Sequence, residues 1–214
     1  MIGYKRKSAP TLARRIGGLL VTFFVCIGLL GGLSACARKD VTVLADRKPA
    51  LDLAEFFAGE SVAYGIFEDR FGNLRRQFRV NMTGVVEGET LTLAEEFLYD
   101  DGERADRTWS ISKTGIGPDG ASMYEGRAGD VSGTAKGRVV GNALNWEYDV
   151  VLEMSGTALE VHFDDWIYRQ DQDVAINRAF ISKFGVEIGS VTLVFIRGKA
   201  AAAIGPLDLS KWSE

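Results

Sequence analysis

Alternation of apolar and polar residues, broken at regular intervals by glycine-bearing turns, is the dominant pattern of this sequence. It is clearest between Asn142 and Met154, where every second residue is large and apolar and the residues between them, except Val151, are polar. Successive side chains of a strand point to opposite faces, so this spacing is typical of a strand with one buried face. A helix would scatter the same residues around its circumference. The shared apolar face consists of Leu144, Trp146, Tyr148, Val150, Leu152 and Met154.

The same alternation recurs on both sides of this strand. Segments 74–82, 91–99 and 159–167 each place apolar residues on one face, although Glu95 and Asp165 fall among them. Segment 191–196 is apolar on both faces, which predicts a strand buried on both sides. The sequence therefore indicates an all-β domain.

Short connections between the segments favour closure of the sheet. Each connection contains glycine and suits a hairpin, and about ten strands follow one another at near-regular spacing. An antiparallel meander of that length either leaves two exposed edges or curls shut, and closure removes the edges. We predict an antiparallel up-and-down β-barrel of about 8–10 strands, with a two-sheet sandwich as the alternative. The connections are 70–73, 87–89, 100–103, 141–142 and 155–157.

The first 35 residues differ from the rest and are typical of a secretory signal peptide. Basic residues, with no acidic residue among them, precede an apolar run at 16–33 and then Leu33-Ser34-Ala35-Cys36. A charged start, an apolar centre and small residues before a cleavage site form the secretory pattern. The tetrapeptide resembles the lipobox of bacterial lipoproteins, which implies cleavage before Cys36 and lipidation of its thiol. An uncleaved membrane anchor is the alternative, which the glycines within the apolar run disfavour.

The remainder is organised as a tether, one domain and a tail. Residues 36–50 predict a polar, lipidated tether, 51–200 the barrel with a short N-terminal helix near 51–58, and 201–214 a C-terminal tail. Because five of the 25 basic residues lie in the signal, 20 remain against 29 acidic residues, a net charge of −9. An acidic domain disfavours nucleic-acid binding. Both cysteines precede residue 37, so the mature domain holds no free thiol for a disulfide, a metal or a nucleophile.

Five stretches within residues 48–197 form a recognisable signature: GIFEDRFG at 65–72, WSI at 109–111, GNALNW at 141–146, FDDWIY at 163–168 and NRAFISKFG at 177–185. These stretches resemble a family of bacterial lipoproteins filed as domain of unknown function 3833. The resemblance implies an envelope lipoprotein without an established activity.

The residues themselves indicate neither catalysis nor a bound metal. His162 is the only histidine, so it cannot supply a two-histidine metal site, and a surface or barrel-lining role is expected for it. No Gly-x-Ser-x-Gly nucleophile elbow occurs. We assign no catalytic residue, metal or cofactor, and we do not predict an enzyme.

Asp164 and Asp165 form the most concentrated polar feature. Strand neighbours point to opposite faces, so the two carboxylates do not form a dyad. The one that points inward needs a partner, for which Arg76, Arg107 and Arg178 are the candidates. We expect a structural ion pair inside the barrel.

Aromatic residues on separate strands favour a ligand cavity, although aromatics also fill barrel cores. The first hypothesis is a lipocalin-like barrel that binds or carries a fatty acid or other lipid. The alternative is an interaction lipoprotein that scaffolds an envelope assembly, and the third hypothesis is a lipid-modifying enzyme that uses Asp165, His162 or an arginine. The candidate ligand-binding residues are Tyr64, Trp109, Trp146, Tyr148, Asp165, Trp166 and Arg178.

The residue after the lipobox cysteine predicts the location. Ala37 follows Cys36, whereas aspartate at this position is the usual inner-membrane retention signal of Gram-negative lipoproteins. The sequence therefore predicts a lipid-anchored envelope protein on the outer membrane, facing the periplasm.

Overall fold

A closed barrel of antiparallel strands makes up most of the computed structural model, which describes residues 40–154 and 157–212. The order of hydrogen-bonded neighbours is β1-β10-β9-β8-β7-β6-β5-β4-β3-β2, so every strand pairs with its neighbours in sequence and β1 pairs with β10. The predicted up-and-down barrel is confirmed. In the described part, the strands are β1 (Gly59–Asp69), β2 (Leu74–Glu87), β3 (Thr90–Tyr99), β4 (Arg104–Ile116), β5 (Ser122–Arg127), β6 (Val131–Val140), β7 (Ala143–Met154), β8 (Thr157–Arg169), β9 (Val174–Lys183) and β10 (Val186–Arg197).

The predicted alternation sets which side chains face the barrel interior. On β7, Leu144, Trp146, Tyr148 and Val150 are all buried and belong to the main core cluster. On β2, Phe78, Val80 and Met82 are likewise buried in this cluster. The prediction that every second residue of these two strands faces the interior is therefore confirmed.

A short helix closes one end of the barrel. Helix α1 (Leu53–Phe57) begins after Asp52, whose side chain accepts a hydrogen bond from the Glu55 backbone N–H at 2.9 Å. Leu53 and Phe57 are buried, and the Phe57 ring packs edge-on against Phe195 at 5.3 Å. A side chain at Gly84 on β2 would overlap the Phe57 carbonyl, so glycine is what allows the helix to approach the sheet.

The N-terminal segment differs from the polar tether predicted for 36–50. From Asp40 onward it packs on the barrel, with a 3₁₀ helix at Val41–Leu44. Val41 is buried against Ala143 and Trp166 on the outer face of the sheet. Val41, Val43 and Leu44 are too few apolar residues in a polar stretch to form a periodic signal, which is why the docking was not visible in the sequence.

The C-terminal tail is also attached to the barrel. Helix α2 spans Gly198–Ile204, and beyond it the backbone of Leu207 exchanges two hydrogen bonds with the Asn81 side chain, at 2.8 and 2.9 Å. Both core clusters lie within the described residues, between Val41 and Phe195. We therefore expect residues 37–214 to fold without the preceding segment.

The predicted signal peptide and Cys36 lie outside the described residues. No helix in residues 40–154 or 157–212 combines the length and apolar character needed to cross a bilayer.

Candidate ligand-binding cavity

The barrel encloses a cavity of about 800 Å³. This volume falls within the range of small-molecule sites, roughly 300–1,000 Å³. Most of the lining side chains are aliphatic or aromatic, and they come from almost every strand and from α1. The aromatic lining residues are Phe57, Phe67, Phe78, Phe97, Tyr99, Trp109, Trp146, Tyr148, Phe163 and Phe195.

The cavity reaches the surface beside the shortest strand. β5 pairs with β4 only over Ser110–Ile116, so the first half of β4 borders a notch in the wall. Val151 is 39% exposed, lies on the outer face of β7 and still lines the cavity. Arg107 of β4 spans the notch through a salt bridge to Asp130 in the β5–β6 turn, at 2.5 Å.

Two glycines on neighbouring strands seat the central tryptophan. A Cβ at either Gly126 on β5 or Gly137 on β6 would overlap the Trp146 ring, which therefore lies flat against these backbones. Trp109 meets Trp146 edge-on at 5.7 Å and Tyr148 edge-on at 5.2 Å. Three predicted site residues thus form one aromatic wall of the cavity.

Asp165 faces this wall from β8. Its Oδ2 accepts a hydrogen bond from the Tyr148 hydroxyl at 2.9 Å, whereas its Oδ1 is buried with no well-aligned donor among the described residues. Burial raises the pKa of Asp165 to about 7, although Tyr148, Arg107 and the nearby amide of Asn177 oppose the rise. Burial and the adjacent Asp165 also hold the pKa of Tyr148 well above its ordinary value.

Glu95 is a cavity residue that the predicted site omitted. It lies on β3 directly opposite Arg107 in register. Burial raises its pKa to about 7, with smaller contributions from Asp165 and Asp130, whereas Arg107 and a hydrogen bond from Trp109 lower it. The signal in the sequence was its position as the one acidic residue on the apolar face of 91–99. The surface that Glu95 retains faces the cavity.

Arg107 is the central cation of the site. Burial lowers its pKa, but Tyr148, Glu95 and Asp130 outweigh this effect and raise the pKa above the usual arginine value. Of the three arginines considered as partners for an inward aspartate, Arg107 is the one whose charge acts on Asp165. The expected ion pair inside the barrel nevertheless joins Arg107 to Asp130 rather than to Asp165.

The other two arginines lie elsewhere. Arg76 lies at the edge of the cavity over the Tyr99 ring, 3.7 Å from its centroid, and pairs with Asp101 at 2.8 Å and Glu103 at 2.9 Å. Arg178 lies on the outer face of β9 opposite Trp166 in register, with its guanidinium over the Phe180 ring.

The structure brings four of the seven predicted ligand-binding residues together in the cavity: Trp109, Trp146, Tyr148 and Asp165. Tyr64 is 42% exposed on the outer face of β1, and Trp166 is buried in the outer cluster beneath Val41. Arg178 shares that outer side, so these three residues do not contact the cavity. Their residue types suggested a binding site. Because alternate residues of a strand face opposite sides of the sheet, their positions place them on the outer face of the barrel.

The remaining candidate for chemistry is also outside the barrel. His162 is exposed on β8, and its Nδ1 lies 2.8 Å from Asp149 Oδ1. Nowhere in the described part of the chain do three or more His, Cys, Asp or Glu side chains gather in an arrangement suited to a metal ion.

Comparisons with solved structures show a shared lipocalin-like fold. The S-type phycobiliprotein lyase CpeS from Guillardia theta is similar with a TM-score of 0.50 and 8% identity, over 75% of this chain and 98% of that one. A DUF3598-family protein of unknown function from Nostoc punctiforme is similar with a TM-score of 0.51 and 11% identity. That match covers 76% of this chain and 53% of the other. No curated protein matches the sequence.

The sequence also matches a protein family over most of its length. The match covers residues 30–197, which include every residue of the cavity wall. The chain therefore belongs to the family described as protein of unknown function, DUF3833.

Proposed function

We propose that this protein binds a hydrophobic small molecule in the barrel cavity. The observation that carries the proposal is the cavity of about 800 Å³ with a mainly aromatic and aliphatic lining. Protein interiors normally close up until few voids exceed the size of a water molecule. A barrel that served only as a scaffold would gain stability by filling this space, whereas a ligand gains about 25 cal/mol for each Å² of apolar surface that it buries there.

Lipid anchoring at Cys36 and an outer-membrane location facing the periplasm complete the proposal. They are supported by the signal-like residues 1–35, the LSAC tetrapeptide and Ala37. Two or three acyl chains, each contributing about 0.8 kcal/mol per buried CH₂, would make release from the membrane negligible.

Native mass spectrometry of residues 37–214, purified from the periplasm of the original host, tests ligand binding. We expect a co-purifying hydrophobic species that dissociates when the protein is denatured. The neutral fluorophore N-phenyl-1-naphthylamine should bind to the emptied protein. A protein that carries no co-purifying ligand and does not bind this fluorophore would contradict the proposal.

A pair of variants shows whether binding takes place in the cavity. Ala105→Trp introduces a large ring beside the opening, because Ala105 lines the cavity on β4. Ala94→Trp adds the same ring on the exposed outer face of β3. The first variant should lose fluorophore binding and the second should retain it. Equal binding by both would indicate an external site.

A lipid-modifying enzyme is a second candidate, favoured by the two cavity carboxyls. General acid–base groups work best when their pKa is near the operating pH, and the pKa values of Glu95 and Asp165 are both raised to about 7. Mass spectrometry of ligand recovered after incubation distinguishes the candidates. A carrier returns its ligand unchanged, whereas an enzyme returns a product of different mass.

A further inference from the structure

The geometry points to a hydrophobic amine as the ligand class, with its ammonium group held between Glu95 and Asp165 and its apolar part in the aromatic cavity. This inference rests on the proposed function and departs from the sequence-based expectation of a fatty acid, because it requires a cationic head group.

The cavity wall carries an excess of acidic over basic side chains. The wall presents five carboxyl groups and two guanidinium groups: Glu95, Glu103, Asp106, Asp130 and Asp165 against Arg76 and Arg107. Asp130 already satisfies Arg107 at 2.5 Å. In the described residues, no basic side chain lies within 4.0 Å of the carboxylate of Glu95 or Asp165. An incoming cation would supply the missing partner.

One carboxylate oxygen of Asp165 lacks a hydrogen-bond donor among the described residues. Tyr148 donates its hydroxyl proton to Asp165 Oδ2, and Asp165 Oδ1 is left without a well-aligned donor. Ionised carboxylates only accept hydrogen bonds, whereas an ammonium group carries three donors and no acceptor. A buried acceptor without a donor costs about 1–3 kcal/mol, so an N–H group of the ligand is the complementary choice.

The same charges disfavour an acidic ligand. A fatty-acid carboxylate would place a further negative charge among carboxyl groups, and like charges in a desolvated site oppose binding. The other arginine at the cavity edge, Arg76, is already paired with Asp101 and Glu103. A fatty acid would therefore have to bind in its protonated, neutral form.

The two ligand types respond to pH in opposite directions. Burial raises the pKa of Glu95 and of Asp165 to about 7, and the ionisable groups around them are Arg107, Asp130, Tyr148, Tyr99 and Asp164. An alkylamine stays protonated at pH 8.5, where both carboxyls are ionised. Its affinity should rise by roughly 30-fold per carboxyl between pH 5.5 and 8.5, since the ionised fraction rises from about 3% to about 97%. The affinity of an acid should fall over the same range.

Three probes of equal chain length test the inference: dodecylamine, dodecanoic acid and 1-dodecanol, the first two used below their micelle concentrations and the alcohol below its solubility limit. Binding to residues 37–214 is followed by calorimetry and by the fluorescence of Trp109 and Trp146 in the cavity wall. At pH 8.5 we expect dodecylamine to bind at least tenfold more tightly than dodecanoic acid.

Isosteric variants assign the effect to the two carboxyls. Glu95→Gln and Asp165→Asn should each weaken dodecylamine binding at least tenfold and change dodecanol binding less than twofold. Asp164→Asn is the matched control, because Asp164 lies next to Asp165 on the opposite face of β8 and contacts Asn145 there. It should bind dodecylamine like the unmodified protein.

The outcomes separate the two proposals. If the acid binds as tightly as the amine, or if both carboxyl variants keep full amine affinity, the amine inference is overturned while the binding function stands. If none of the three probes nor N-phenyl-1-naphthylamine binds, the binding function itself fails.

Discussion

Replacing Glu95 by glutamine should stabilise the ligand-free protein at alkaline pH. Glu95 lies in the barrel interior, where burial raises its pKa from 4.5 to about 7. The folded protein therefore prefers the protonated, neutral form of this side chain. As pH rises above 4.5, the unfolded chain loses the proton while the folded chain retains it, so the free energy of unfolding falls until about pH 7.

The size of the effect follows from the difference between the two pKa values, which is 2.5. At 1.36 kcal/mol per pKa unit, the ionised carboxylate costs the fold about 3 kcal/mol above pH 7. Glutamine has nearly the same shape and stays neutral at every pH. The free energy of unfolding of Glu95→Gln should thus exceed that of the unmodified protein by about 3 kcal/mol at pH 8.5, and the two should be equal below pH 4.5.

Urea unfolding of residues 37–214 at pH 4.5 and pH 8.5 measures this difference. With a urea dependence of about 1–3 kcal/mol per molar, the variant's midpoint at pH 8.5 should shift upward by roughly 1–3 M. Asp164→Asn, on the outer face, should show no such pH-dependent gain. If Glu95→Gln is no more stable than the unmodified protein at pH 8.5, or gains equally at both pH values, an ionised Glu95 does not destabilise the fold.

Three further predictions address the closed end of the barrel and the anchor. Arg169 is 4% exposed and donates hydrogen bonds to two backbone carbonyls and to Glu55 of α1. Arg169→Met should therefore lower the free energy of unfolding, measured by thermal unfolding, by about 3 kcal/mol. A change within about 0.5 kcal/mol would contradict this. Gly84→Ala should lower the free energy of unfolding by about 2 kcal/mol because the added methyl group overlaps α1. The control Gly129→Ala adds its methyl group in open space and should leave the stability unchanged. Equal thermal unfolding midpoints for the two variants would contradict the overlap. Cys36→Ser in the full chain should abolish incorporation of radiolabelled palmitate, and labelling that persists would rule out this cysteine as the lipidation site.

The fold was predictable because its cause is local and repeated. Period-2 alternation on β7 assigns Trp146 and Tyr148 to the interior, and short glycine-bearing turns leave little choice of topology other than a meander. Asp165 was placed inside for the same reason, since it shares the parity of Val161 and Phe163.

The composition of the site was only partly predictable. Trp166 was selected for its aromatic ring although it directly follows Asp165, and strand neighbours face opposite sides. Glu95 was visible as a break in an apolar face, but a single break does not tell whether the carboxyl meets a cation, a ligand or solvent. Both the pairing of Arg107 with Asp130 and the notch beside β5 depend on how much shorter β5 is than its neighbour β4. No local pattern encodes them.

Because helix α1 closes one end of the barrel, the depth of the cavity would limit the length of the alkyl chain that it can hold. Leu91 lies beside α1, and Glu95 follows four residues later on the same strand. At 3.3 Å per residue and a strand tilt near 40°, these positions are separated by roughly 10 Å along the barrel axis. In a series of alkylamines, each added CH₂ should contribute about 0.8 kcal/mol to the binding free energy only until the chain reaches α1. Longer chains would have to fold back or extend towards the notch, and their affinity would level off.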